Sequence, residues 1–183
     1  VGMGKELVDA SPAAKAIFDE ADEILGFSLS NLCFEGPEET LNDTINSQPA
    51  VLATSIAALA ALNEQTHSAG SVSDADDSSA RLGIVAGHSL GEYSALVAAG
   101  VIAYPDALKL VRERGRLMKE AGEKQPGSMA AILGLDDEQV AEVCRSASKV
   151  SGVVGIANYN CPGQIVISGE KAAVEAAMAG CEA

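Results

Sequence analysis

The 183-residue sequence predicts an α/β fold, on three observations. Short apolar runs such as Leu82 to Ala86 and Met129 to Leu133 have the length of strands. Longer stretches around residues 11–25 and 105–120 repeat apolar residues at helical spacing. After residue 127 the two patterns alternate as strand, helix, strand, strand, helix.

Composition narrows the possibilities. A hydrophobic content of 48% supports a packed core, and with 3% aromatics and no Trp that core must come from Ala, Val, Leu and Ile. The formal charge of -14 argues against a nucleic-acid partner, because phosphate recognition needs a basic face. Cys33, Cys144, Cys161 and Cys181 lack C-x-x-C spacing and only two histidines are present, so no metal site is expected and the cysteines read as reduced thiols. No apolar run is seen that approaches the roughly twenty residues of a membrane span, so no membrane association is expected. The chain opens at Val1-Gly2-Met3-Gly4, which suggests that an upstream piece is missing.

The first clear helix has Ser11 as N-cap, Pro12 in its first turn, a stripe of Ala14, Ile17, Ala21, Ile24 and Leu25, and Gly26 as its stop. A second is expected from about Ser47-Gln48-Pro49 to Leu62. Residues 65–80 read as a polar surface loop holding His67. Asp74, Asp76 and Asp77 in it lack the Gly and distal Glu of a calcium loop. Leu82 to Ala86 reads as a strand that turns sharply at Gly87 into a helix starting near Leu90. Another helix spans Pro105 to Glu120, and Ala121 to Gly127 reads as a linker. Beyond it lie strand Met129–Leu133, helix Asp137–Ser146, strands Val153–Ala157 and Gln164–Ser168, and helix Glu170–Ala179. These are five of the six elements of a ferredoxin-like unit, with the sixth expected past Ala183.

Chemistry concentrates at Gly87-His88-Ser89-Leu90-Gly91. On a strand-turn-helix, Gly-x-Ser-x-Gly can present its serine as a nucleophile, and side chains at 87 or 91 are expected to collide with neighbouring backbone. The helix that follows aims its N–H groups and dipole at the same spot, so the Leu90 N–H is a candidate oxyanion donor. A serine needs a general base. His67 reads as a solvated loop residue and His88 as shaping the turn, so the base is expected outside this chain.

The helix over residues 107–120 carries a second clue. Ala107, Leu108, Leu110, Val111, Leu117 and Met118 share one face, and Arg114 stands among them. An inward guanidinium needs a partner, either an internal carboxylate or the carboxylate of a substrate held in two parallel hydrogen bonds. Arg112, Arg116 and Lys119 read as a solvated cationic face.

The segment Gly87-His88-Ser89-Leu90-Gly91-Glu92-Tyr93-Ser94-Ala95-Leu96 resembles the active-site signature of the malonyl-CoA:acyl carrier protein transacylase family. Similar stretches are Glu35-Gly36-Pro37, Ser47-Gln48-Pro49-Ala50, Glu113-Arg114-Gly115, Met129 to Leu135 and Asn158 to Gln164. The resemblance implies a hydrolase-like parallel-sheet subdomain, with residues 1–125 forming part of it. It also implies an inserted ferredoxin-like subdomain, with residues 126–183 forming most of it. Ser89 matches the family's acylated serine and Arg114 its malonyl-binding arginine. Gln48 and Asn160 match polar positions near its site, though each could equally be a satisfied helix-start or turn residue.

The activity implied is malonyl transfer from malonyl-CoA, as substrate, to the phosphopantetheine thiol of acyl carrier protein in fatty acid biosynthesis. No cofactor, no metal and a monomer are expected. The compartment is cytoplasmic for a bacterial source, or plastid or mitochondrial matrix for a eukaryotic one. The family's Gly-Gln-Gly-Ser-Gln turn and its catalytic histidine are expected before Val1 and after Ala183, so residues 1–183 alone should turn over little substrate. Competing readings are a polyketide-synthase-type acyltransferase, a serine esterase or patatin-like lipase, and a non-catalytic binding module.

Overall fold

A computed structural model describes residues 1–68 and 83–182, with the side chains of residues 67 and 68 excepted. The expectations for residues 69–82, among them the aspartates at 74, 76 and 77, lie outside the described residues. The chain forms two compact units, Val1–Lys119 and Glu120–Ala183.

The first unit is helical. Helices α1 (Lys5–Ala10), α2 (Pro12–Leu25), α3 (Leu29–Glu35), α4 (Glu38–Asn42) and α5 (Thr44–Ser68) precede the turn at Ser89, and α6 (Gly91–Ala98) and α7 (Tyr104–Lys124) follow it. The Ser11 hydroxyl caps α2 by accepting from Ala14 N at 3.1 Å, and Gly26 ends the helix in the left-handed region, φ 71°. Phe18, Leu29, Leu52, Leu108 and Val111, drawn from α2, α3, α5 and α7, meet in a core with almost no exposure. Burial pushes the Cys33 thiol in this core up to about 11.

Helix α5 corrects two expectations. It begins at Thr44 because Asp43 closes its first turn: Asp43 Oδ1 accepts from Ile45 N at 3.1 Å, and its carbonyl accepts from Asn46 N and Ser47 N. A hydrogen bond from Lys119 holds the Asp43 carboxyl below its usual range. Pro49 therefore lies inside the helix, and the helix continues through the backbone of His67 instead of ending near Leu62. Its stretch Thr44–Thr66 is long and apolar enough to cross a membrane by length and composition, with mean hydropathy 1.4, contrary to the expectation that no run approaches that length. In the structure it packs on α2 and buries Ala50, Leu52, Ala53, Ile56, Ala57 and Ala61.

Two more boundaries differ. Residues 83–87 form no strand, since no strand among the described residues pairs with them; Ile84 is 93% exposed. Helix α7 runs on through the expected linker to Lys124, where good helix formers and a Lys124–Glu120 pair one turn apart sustain it.

The second unit holds β1 (Gly127–Leu133), α8 (Asp137–Ser151), β2 (Val154–Cys161), β3 (Gln164–Glu170) and α9 (Lys171–Glu182). Its sheet has the order β1-β3-β2 and is antiparallel throughout, with Met129 opposite Ser168 and Val154 opposite Gly169. It is the sheet present among the described residues. Asp136 and Gln139 form a reciprocal capping box at the start of α8. One face of the sheet buries Ile132, Ile165 and Ile167 against Val140, Cys144 and Val174 of α8 and α9.

Candidate active site

The turn from residue 87 to 91 is tight enough to force unusual backbone. Ser89 has φ 55°, and among the described residues it is the one non-glycine in the left-handed region. Such a conformation costs of order 1–3 kcal/mol and persists only where its surroundings impose it. They do so here. A Cβ at Gly87 would lie 1.9 Å from the Gly91 carbonyl oxygen, so only glycine lets the entering chain pass the start of α6. Three short-range bonds, Gly91 N to His88 O at 2.9 Å, Glu92 N to Ser89 O at 3.3 Å and Tyr93 N to Leu90 O at 3.0 Å, wind the chain into the helix.

Gly91 is different. A Cβ there meets nothing within 4 Å, so the expected collision at position 91 is absent among the described residues. The close approach is one-sided, because it is Gly87's missing side chain that would point into the Gly91 backbone.

Ser89 is thereby exposed on the outside of the turn, and the Leu90 N–H has no hydrogen-bond partner among the described residues. That leaves the first amide of the helix available to an oxyanion. His88, beside the serine, contributes its carbonyl to the turn.

Arg114 reaches this serine from α7. Its Nη2 donates to Ser89 Oγ at 2.9 Å and its Nη1 to Gln48 Oε1 at 2.6 Å. Gln48 is 5% exposed, and its Nε2 donates to Thr44 Oγ1 at 3.0 Å and points to Met118 Sδ at 3.3 Å. A buried amide with both ends occupied cannot rotate freely, so it fixes the plane of the guanidinium it binds.

The helix stripe differs from its expected form. The buried positions of α7 are Tyr104, Ala107, Leu108, Val111 and Gly115, whereas Leu110, Leu117 and Met118 are each about half exposed. The stripe is rotated toward Gly115, so Arg114 stands on its flank, partly buried, with Gln48 and Ser89 as partners in place of an internal carboxylate. Gly115 makes that placement possible. A Cβ there would lie 2.4 Å from Thr44 O, so its absence lets α7 rest directly on the start of α5, where Gln48 sits.

Of the expected site residues, then, Ser89, Leu90, Arg114 and Gln48 converge. Asn160 belongs to the second unit, exposed near the end of β2, with Nδ2 donating to Gln164 Oε1 at 3.3 Å. Thr44, Gly115 and Met118 were missed by the sequence reading. Their signal was spacing: Thr44 lies one helical turn before Gln48, and Met118 one turn after Arg114. Among the described residues no group of three His, Cys, Asp or Glu side chains could hold a metal ion.

Residues 1–183 match the family described as acyl transferase domain. The chain belongs to this family. The acyl transferase domain is 50% identical over 177 residues to the malonyl CoA-acyl carrier protein transacylase of Bacillus subtilis strain 168, covering 97% of this chain and 52% of the relative. It is 44% identical over 183 residues to the protein of that name from Escherichia coli K12, covering 100% and 55%. Among solved structures, the malonyl CoA-acyl carrier protein transacylase from Clostridium perfringens superposes with TM-score 0.86 at 42% identity, covering 100% of this chain and 53% of that one. A malonyl-transacylase in complex with a type II PKS acyl-carrier protein gives TM-score 0.85 at 42% identity, with coverage of 100% and 55%. The acyl transferase domain described here thus spans about half the length of the curated relatives it matches.

Proposed function

We propose that the whole protein transfers a malonyl group from malonyl-CoA to the phosphopantetheine thiol of acyl carrier protein, through an ester on Ser89, in fatty acid biosynthesis. The observation that carries this reading is the Arg114 guanidinium, bonded to Ser89 Oγ and braced by the buried Gln48. An esterase acting on neutral acyl groups has no use for a fixed cation beside its nucleophile. A carboxylated acyl group does, because the planar guanidinium fork matches a carboxylate in two parallel, charge-assisted bonds. Gln48 occupies one Nη1 hydrogen and Ser89 Oγ one Nη2 hydrogen, which leaves one hydrogen on each of these nitrogens for the substrate.

In this reading Ser89 Oγ attacks the thioester carbonyl, its proton passes to a general base, and the Leu90 N–H meets the oxyanion that forms. Collapse expels coenzyme A as its thiol and leaves malonyl-Ser89. The carrier's thiol then attacks that ester, and the serine recovers its proton. We place the base, a histidine, and a second oxyanion donor in the remaining half of the protein, which the length of the relatives supports. The first unit is read as part of a hydrolase-like parallel-sheet subdomain and the second as most of a ferredoxin-like one. No cofactor beyond the thioester substrate is invoked.

The test is acyl selectivity. Arg114→Ala in the full-length protein should lower kcat/KM for malonyl-CoA by about a hundredfold or more, equivalent to roughly 3 kcal/mol, while acetyl transfer changes little. Equal losses for the two acyl groups would remove the carboxylate role.

A further inference from the structure

Arg114 is held by a chain of contacts that starts outside the site. Its Nη1 donates to Gln48 Oε1 at 2.6 Å, and Gln48 Nε2 donates to Thr44 Oγ1 at 3.0 Å, so the plane of the guanidinium depends on where Thr44 stands. Thr44 opens α5 and follows directly on Asp43. Both carboxylate oxygens of Asp43 are engaged. Its Oδ1 accepts from Ile45 N at 3.1 Å, which fixes the first turn of α5, and its Oδ2 accepts from Lys119 Nζ, which ties that turn to α7.

Helix α7 therefore meets the start of α5 at three levels. Arg114 bonds to Gln48, Gly115 lies close against Thr44 O, and Lys119 bonds to Asp43 about 7.5 Å further along the axis than Arg114. Gly115 and Lys119 are one turn apart, so they present the same side of α7. Two adjacent contacts let a helix pivot about them, and a third at this distance opposes the pivot. The side chains of Lys119 and Asp43 are 42% and 29% exposed, so water weakens their bond and its effect on the site is graded.

We propose that Asp43 is a positioning residue for acyl selection: by capping α5 and holding Lys119 it places Thr44 and Gln48, and through them the Arg114 fork. Asp43 acts through the two helices and not on the substrate. The inference rests on the malonyl-transfer reading, because the selectivity it sets is that of a substrate carboxylate against Arg114.

The measurement is the malonyl-to-acetyl ratio of kcat/KM in the full-length protein, for Asp43→Asn, Lys119→Met, their double variant and Lys119→Arg. Asn caps a helix as Asp does but lacks the charge, and Met keeps most of the lysine stem, so both substitutions spare the fold. Each single variant should raise the KM for malonyl-CoA and lower the ratio about threefold, with kcat and acetyl transfer nearly unchanged. The double variant should lose no more than either single one, because both break the same bond. Lys119→Arg, which keeps the bond, should hold the ratio near its wild-type value. A wild-type ratio in both single variants, or losses that multiply in the double variant, overturns the proposal. Arg114→Ala measured alongside separates the two ways of failing. A selective malonyl loss there, with an unchanged ratio in Asp43→Asn and Lys119→Met, removes the positioning role alone. Equal malonyl and acetyl losses in Arg114→Ala remove the carboxylate reading and this inference with it.

Discussion

Ser89 occupies a backbone conformation that serine avoids, and the residue that permits it is Gly87. The two glycines of the motif are therefore unequal, which a substitution pair can show. Gly87→Ala should cost at least about 2 kcal/mol and abolish transfer, because the new methyl group meets backbone that cannot move aside. Gly91→Ala should leave both nearly intact. Thermal melts of the two variants, with transfer assays alongside, decide the point, and equal damage at the two positions would contradict the geometry. A second residue-level expectation concerns Cys33. Its folded value, about 11, exceeds its ordinary 9.0, so the folded state holds the proton more tightly than the unfolded chain does. The stability this provides is complete below about pH 9 and is lost as pH rises toward 11. A melting-temperature series over that range should fall, and Cys33→Ala should flatten the part of the fall that begins near pH 9.

At the scale of elements, the site is a contact between two helices. Helix α7 delivers Arg114, α5 delivers Gln48, and Gly115 sets how closely they meet. Gly115→Ala should push the helices apart and loosen the guanidinium without touching Ser89. The expected signature is a KM for malonyl-CoA raised about tenfold with a smaller change in kcat, since binding suffers more than chemistry. Gln48→Leu should do the same, by removing the brace while keeping its volume. Loss of kcat alone in either variant would place these residues elsewhere in the reaction. This pairing was only half legible in the sequence. The wheel of α7 flagged Arg114 as anomalous, yet it counted Leu110, Leu117 and Met118 as interior, because periodicity locates an apolar stripe without saying which edge of it is covered. The start of α5 was misread because Pro49 suggests a first turn, whereas the Asp43 cap that sets the true start is a single side chain four residues earlier than the expected Ser47.

For the molecule as a whole, local signals were the readable ones. The β-α-β-β-α order after residue 127, the Ser11 cap and the serine turn follow from spacing and from turn chemistry within a few residues. Pairing was less readable: residues 83–87 have a strand's composition, but composition cannot supply a hydrogen-bonded neighbour. The Gln48–Arg114 bond spans 66 positions and Arg114–Ser89 spans 25, separations at which no periodic pattern operates. The central claim is that Ser89 carries the acyl group, and acid-quenched peptide mapping of full-length protein after exposure to labelled malonyl-CoA tests it most directly. The account predicts label on the peptide containing Ser89, released by carrier-protein thiol and absent from Ser89→Ala. Label on another peptide, or label that persists in Ser89→Ala, would contradict it.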